Sequence, residues 1–451
     1  MSNIEKMGIQ HIDASVIYIA GDRVITRSSD KEVKQECRGG DSNHKHKLDI
    51  DLGIKPQEAF KGMKELISLS PEIGRLLVAQ AISGISREVF LRARFTPCTI
   101  LFIKGKSNML KSHYIPHLTQ LYDRGTDIRA ATRFNSSNRF IEDLLCEYDE
   151  CTVIIDDLHT AESERIKRSN ECTAEEIIRR VSDDTGRGHK EGNELVQKKF
   201  QGNVIFIGEY SIGKGSTNSR MLIAELTIRP DGTILDKYQR HKPLLVSTFY
   251  YYYIQWYVDN YKEIYNEIDK RITEFRETNT ESHIYGRLLD AQLYLQTSYM
   301  IFLEFCRDSG FITQEDALDE FSYFRDQLIS LILAQQTRSE QDESKPQEIN
   351  YLKLIRKLYK KGKFRLADSA ETFCKDKHDG LIYYECLCVR RESLEKKLHK
   401  ILPDVKIDEV TKSLEAQNAL KVVDKRTVKI STLNKEAGAI RFCAIWLSKL
   451  K

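Results

Sequence analysis

The stretch CTILFIKGKSNMLKS, residues 98–112, decides the fold. Its first six residues are a continuous apolar run with β-branched members, the pattern of a short buried strand. The next eight, Gly105-Lys106-Ser107-Asn108-Met109-Leu110-Lys111-Ser112, follow the spacing G-x-x-x-x-G-K-S, with Leu110 where the second glycine stands. KSHYIPHLTQLY then reads as a helix. Strand, glycine-bearing loop and helix in that order build a concave row of backbone amides at a helix N-terminus, which binds phosphate.

Each residue type has a task in such a loop. Gly105, Lys106, Ser107, Asn108, Met109 and Leu110 curl the backbone around the phosphates. Lys111 reaches the β- and γ-phosphates, and the Ser112 hydroxyl is a ligand for Mg²⁺. The ligand implied is ATP with Mg²⁺. Glycine before the lysine lets the backbone come close, so Leu110 is expected to fit only with a negative φ.

Working outward, Val153-Ile154-Ile155-Asp156-Asp157 ends a second buried strand, 45 positions after Lys111. An acid at the carboxyl end of a strand beside a phosphate loop holds the metal. Asp156 is assigned to Mg²⁺ and Asp157 to the attacking water. A turn after the strand is the alternative, because Asp-Asp is common in turns. NVIFIG (203–208) is a third strand, tipped by Glu209, Tyr210 and Ser211 as candidate γ-phosphate sensors. RMLIAEL (220–226) is a fourth. Ser219-Arg220 precedes it, and arginine's planar, permanently charged fork suits phosphate oxygens. Arg187, in DDTGRGHK, is a second candidate for that job. Arg287, in IYGRLLD, is a candidate sensor acting on its own subunit's nucleotide. For each arginine the alternative is an ordinary ion pair.

Strands alternating with helices, each strand a continuous apolar run, indicate a mostly parallel sheet covered on both faces. Around this core, at 76–245, the chain divides into an N-terminal α+β region (1–75), a helical lid (246–340) and a terminal module (350–451). The N-terminal region opens with a hairpin turning at Gly21-Asp22, and Ser70-Pro71 starts a helix. FYYYYIQWYVDNYKEIY (249–265) suggests either a base-stacking platform or, by its helical period, a helix packed on the core. QQTRSEQDESKPQEIN (335–350) reads as a linker. In the last hundred residues LIYYECLCVR is a strand, RESLEKKLHKIL and KIDEVTKSLEAQNAL are helices, and KVVDKRTVKIST is a hairpin turning at Asp424-Lys425-Arg426. Helix, helix, wing is the order of a winged helix.

The chain has 451 residues, 41% apolar and 30% charged, which fits a soluble protein of two to four domains. It has no apolar run long enough to span a membrane and no signal-peptide core at its N-terminus, so a cytoplasmic protein is expected. The ten cysteines follow no framework and read as reduced thiols. Cys37, Asp41, His44 and His46 fit no common metal spacing. The net charge of +3 is uneven: from Tyr351 onward, 24 Lys/Arg face 13 Asp/Glu, a surplus of 11, which leaves −8 for the first 350 residues. A basic terminal module on an acidic body is the pattern of a nucleic-acid-binding appendage. Lys412 on the second helix, with Lys425 and Arg426 on the wing, is expected to touch phosphate.

These pieces together resemble a family: the AAA+ helicase-like proteins of bacterial mobile elements, including the minichromosome-maintenance-like replicative helicases of staphylococcal chromosome cassettes. The resemblance runs from about residue 10 to the end. It rests on FIKGKSNMLKS, VIIDDL, FIGE, STNSR and the terminal winged helix. It implies an α/β P-loop NTPase core of AAA+ type with a helical lid, assembled as a hexameric ring that hydrolyses ATP and moves on DNA. Arg220 would then reach the neighbouring subunit's nucleotide. Leu110 and the Glu209 strand tip depart from the family pattern. They keep a second reading open, a nucleotide-gated or hydrolysis-deficient DNA-binding regulator on the same fold. A P-loop phosphotransferase is a third, opposed by the long helices and winged helix.

Overall fold

In a computed structural model of the chain, the described residues are 7–12, 15–29, 46–96, 99–124, 131–148, 150–158, 164–183, 188–191, 194–197, 200, 202–210, 212, 217–279, 284, 286–344, 350–402, 405–421, 427–430 and 440–450. They fall into two compact units, Met1–Lys345 and Pro346–Lys451.

The first unit opens with an antiparallel meander, β1 (Gly8–Ile12), β2 (Ser15–Ala20) and β3 (Arg23–Thr26). The β2–β3 turn is Gly21-Asp22, with Gly21 at φ 61°. The meander is anchored by Glu150, whose carboxylate accepts the Ile9 amide at 3.0 Å. Gly8 must be glycine: its φ is +94°, and a Cβ there would lie 2.2 Å from the Glu150 carboxyl carbon. Helices α1 (Pro56–Ser68), α2 (Pro71–Ile85) and α3 (Arg87–Arg92) follow. The first two begin on proline, whose missing N–H costs nothing at that position.

The central sheet then forms from β4 (Ile100–Lys104), α4 (Lys111–Thr119), β5 (Ala131–Arg133), α5 (Asn138–Glu147), β6 (Thr152–Leu158) and α6 (Glu164–Ser182). A small hairpin of β7 (Gly188–Glu191) and β8 (Glu194–Gln197) precedes β9 (Asn203–Gly208), β10 (Met221–Glu225) and α7 (Gly232–His241). The sheet is five-stranded, ordered β10-β4-β9-β6-β5, and every pairing is parallel. Four of its strands are the apolar runs read from the sequence. The fifth, β5, is Ala131-Thr132-Arg133, three residues with no apolar run to betray them.

Four helices complete the unit: α8 (Leu245–Asp259), α9 (Tyr261–Thr278), α10 (Gly286–Asp308) and α11 (Gln314–Ser344). The aromatic run lies on α8 and is core. Phe249, Tyr250, Tyr253 and Tyr257 are buried, and the Tyr250 hydroxyl donates to the Leu118 carbonyl at 2.8 Å. One hydrophobic core runs from Met7 to Ile332, through all three segments that the sequence divides.

The segment from Gln335 is not a linker at its start, because α11 continues to Ser344. Gln, Arg and Glu are good helix formers, and no glycine or proline interrupts the helix before Pro346. Gln335 is buried and covers the edge of the sheet. Its Oε1 accepts the Ile223 amide at 2.8 Å, and its Nε2 donates to the Met221 carbonyl at 2.7 Å and the Asn218 carbonyl at 3.0 Å. A capped edge is protected from pairing with another chain. Gln335→Leu would strip three buried backbone groups of their partner and should destabilise the unit by about 2 kcal/mol or more. An unchanged denaturant midpoint would mean that water satisfies that edge.

The second unit contains α12 (Tyr351–Lys360), β11 (Leu366–Ala367), β12 (Gly380–Tyr383), β13 (Cys386–Arg390), α13 (Arg391–His399), α14 (Ile407–Ala416), β14 (Val428–Ile430) and β15 (Ile440–Trp446). One sequence expectation changes here. LIYYECLCVR is two strands, β12 and β13, folded back at Tyr384-Glu385. The turn expected at 424–426 lies outside the described residues; of the residues flanking it, β14 pairs with β15, and Leu420 bridges to Ile445 on β15. β15 is apolar and central, between β13 and β14.

Candidate functional site

A cleft of about 290 Å³ opens at the carboxyl ends of the central strands. Its walls are the loop from Ser107 to Leu110, the first turn of α4 with Lys111, Ser112 and His113, the β6 segment Asp156-Asp157-Leu158, and the β9 tip Gly208-Glu209. The register brings these together. Lys104 and Leu158 both pair with Gly208, the Gly105 amide donates to the Gly208 carbonyl at 3.1 Å, and the Glu209 amide donates to the Leu158 carbonyl at 2.8 Å. Gly105 and Lys106 lie at the base of the loop, where their carbonyls face Lys111.

Lys111 is buried, and its ammonium donates to the Gly105 carbonyl at 2.6 Å and the Lys106 carbonyl at 2.7 Å. Burial pushes its pKa below the usual lysine range, while the charges of Glu209 and then Asp156 pull it back up. The loop is therefore a closed cradle around one cation, facing two carboxylates.

Leu110 departs from the expected backbone. It adopts φ +57°, not a negative angle, and caps α4 without a side-chain hydrogen bond. Asn108 is also left-handed, at φ 63°. The loop keeps the curl that glycine would give, at a cost of roughly 1 kcal/mol for leucine. The side chain is partly buried against the core, with Cδ1 beside Gly232 at the start of α7. Leu110→Gly is thus expected to fold and to bind nucleotide as well as the parent or better. The β-branched Leu110→Val, ill suited to positive φ, should lower both melting temperature and affinity. Nucleotide binding lost in Leu110→Gly, measured by calorimetry, would mean that the leucine side chain itself holds the loop.

The two acids sit within β6, not beyond its end. The strand continues to Leu158, and its register against β9 shifts between Ile155 and Leu158. Asp157 has φ 72°, and its amide donates to Asp156 Oδ1 at 2.6 Å. Such a bulge re-aims side chains, and both acids line the cleft. Arg133 approaches Asp157 at 3.9 Å, but both are exposed, so the pair adds little.

The arginines lie elsewhere. Arg220 precedes β10, and Met221 pairs with Ile100 while Glu225 pairs with Lys104. Arg220 is therefore at the amino-terminal end of the sheet and the cleft is at the carboxyl end, roughly 17 Å away along the strand. Arg287, expected on its own subunit's nucleotide, does not line the cleft. It joins Arg220 instead: the two guanidinium groups share Asp183 Oδ1, at 2.9 Å from Arg287 and 3.5 Å from Arg220. The shared carboxylate, at the end of α6, carried no sequence signal. Arg187, Lys425 and Arg426 lie outside the described residues. Lys412 is exposed on α14, opposite the buried Val410 and Leu414.

Ser112, Asp156, Asp157 and Glu209 are hard oxygen donors in the cleft. Among the described residues no group of three or more His, Cys, Asp or Glu is placed to hold a metal ion. Mg²⁺ takes one or two protein oxygens and completes its shell with phosphate and water, so two of the cleft's donors suffice for it. His46 is instead buried between Asp123 at 2.8 Å and Glu147 at 2.9 Å.

A parallel sheet with a phosphate-loop cleft at its carboxyl edge fits an α/β nucleoside-triphosphatase core. More particularly, the chain shares the fold of a solved protein described as "SCCmec type IV Cch - active helicase", at 14% identity and a TM-score of 0.50, over 98% of this chain and 80% of that one. Two inhibitor-bound structures of JCV Helicase align at 10% identity and a TM-score of 0.24, over 54% and 55% of this chain and 72% and 74% of theirs. No family model and no curated protein matches the sequence. Among the described residues no helix is long and apolar enough to cross a membrane.

Proposed function

We propose that the protein is an ATP-driven DNA motor, a ring helicase of AAA+ type acting in the replication of a mobile element. The observation that carries this reading is the separation of its charged groups: a phosphate cleft at one end of the sheet and an arginine pair at the other. Arginines a strand's length from their own cleft, held at rest on Asp183, are suited to a nucleotide that a second copy would present.

In this reading the loop amides and Lys111 hold the phosphates of ATP. Ser112 and Asp156 would hold Mg²⁺, which supplies charge neutralisation on the phosphate oxygens. Asp157 orients the attacking water and draws off its proton. Glu209, opposite Lys111, is the second carboxylate in reach of the γ-phosphate position. Arg220 and Arg287 stabilise charge on the neighbour's nucleotide. The terminal unit, with its surplus of basic residues and its helix-helix-strand order, serves as a winged-helix DNA anchor in which Lys412, Lys425 and Arg426 meet phosphate.

The measurement that tests it is ATP hydrolysis with and without single-stranded and forked DNA, together with the mass of the assembly in nucleotide. DNA-stimulated turnover in a multi-subunit assembly is expected. Binding of ATP and DNA without turnover would favour the second reading, a hydrolysis-deficient assembly regulator. That reading draws on Leu110 and on the Lys111 ammonium being satisfied by its own loop.

A further inference from the structure

The β12–β13 hairpin of the second unit turns through Tyr384 and Glu385, at φ 42° and 57°. Turns of this hand are normally built from Asn-Gly, which adopt positive φ without strain. Here the strained position carries a tyrosine that is 73% exposed, the most exposed of the described large apolar side chains. Nothing in folding favours that placement. An exposed aromatic held on a strained turn points instead to contact with something outside the chain.

Its surroundings define the contact. The Tyr383 ring meets Tyr384 edge-on, with centroids 4.5 Å apart. Cys386 pairs across the sheet with Tyr383 on one side and Trp446 on the other, so both aromatics share one face. Lys421 reaches both Tyr384 and Trp446: its ammonium is 5.9 Å from the Tyr384 ring centroid and 5.4 Å from that of Trp446. The lysine backbone is fixed by its amide, which donates to the Ala444 carbonyl at 2.8 Å. Exposed Lys449 follows in the turn beginning at Leu447, whose amide donates to the Glu385 carbonyl at 2.9 Å. Glu385 is the acid at the tip. From Tyr351 onward the chain carries the surplus of 11 positive charges.

We propose that this hairpin tip is a stacking site for unpaired bases of a single-stranded nucleic acid. Tyr384 takes the face of one base, Trp446 borders the same platform, and Lys421 takes the adjoining phosphate. Aromatic faces with an interleaved cation are how sequence-tolerant single-strand sites are built. The grooves of a duplex offer no free base face to such a tip. The site deepens the DNA-binding part of the proposed function and is independent of ATP hydrolysis.

The test uses the full chain without nucleotide, with fluorescein-labelled oligothymidine and a labelled duplex read by anisotropy. Tyr384→Ala is expected to weaken oligothymidine binding about tenfold, with Tyr384→Phe close to the parent. Lys421→Ala should lower the salt slope by about one charge. Duplex affinity should be unchanged in Tyr384→Ala. In a Trp256→Phe background, oligothymidine should quench Trp446 fluorescence, which a merely structural hairpin would not show. Equal oligothymidine affinity in Tyr384→Ala, or equal loss on duplex, would overturn the stacking site. If no variant hydrolyses ATP and the Tyr384 effects persist, the motor reading fails and this one stands.

Discussion

Arg220→Ala is expected to bind ATP as tightly as the parent and to hydrolyse it about 10³-fold more slowly, the loss typical of a missing arginine finger. The reason is geometric. Arg220 sits at the amino-terminal end of β10, a strand's length from its own cleft, so it contributes nothing to its own subunit's nucleotide. At rest it shares Asp183 with Arg287. Asp183 is partly exposed, so leaving it for a phosphate forfeits little. The sharper measurement is mixing. Arg220→Ala and Lys111→Ala subunits, each inactive alone, should recover turnover when combined, because some interfaces then pair an intact cleft with an intact arginine. No recovery, or full activity in Arg220→Ala alone, would remove the inter-subunit role.

Lys111→Ala should abolish turnover, with a rate loss of about 10²-fold or more, and weaken nucleotide binding as well. Two effects combine. The phosphates lose the cation buried in the cleft. The Gly105 and Lys106 carbonyls lose their donor, so the loop no longer closes on itself. DNA binding by the terminal unit should survive, since its residues belong to a separate compact unit. Hydrolysis persisting in Lys111→Ala would place the chemistry outside this cleft. Asp157→Asn separates the two catalytic readings: turnover lost with binding retained fits a water-orienting acid, and unchanged function fits the regulator.

The candidate site was legible in unequal parts. Lys111, Ser112, Asp156 and Asp157 stood out in the sequence because a phosphate site would ask for those residue types at a helix start and at a strand end. The register of β4, β6 and β9 does bring all four to one cleft. The bulge at Asp156-Asp157 was not readable, because a register shift depends on the facing strand. Leu110 was read with the wrong backbone: the loop keeps its left-handed turn and the leucine tolerates it. Arg287 was misplaced because a helix's sequence does not say which end of the sheet it meets.

What the sequence determined by itself is local and periodic: four apolar strands, the glycine-bearing loop between strand and helix, the helical period of the aromatic run, and the charge surplus of the last hundred residues. What only the tertiary structure decided is long-range. β5 exists because β6 offers it a backbone ladder, not because Ala131-Thr132-Arg133 favours a strand. Gln335 became an edge cap because α11 passes β10, and β14 is a strand because the apolar β15 offers it a ladder. Hydrophobic period is written residue by residue, whereas hydrogen-bond partners and ion pairs are settled by which surfaces meet. Arg220 and Arg287 on Asp183, 37 and 104 positions away, are the plainest case.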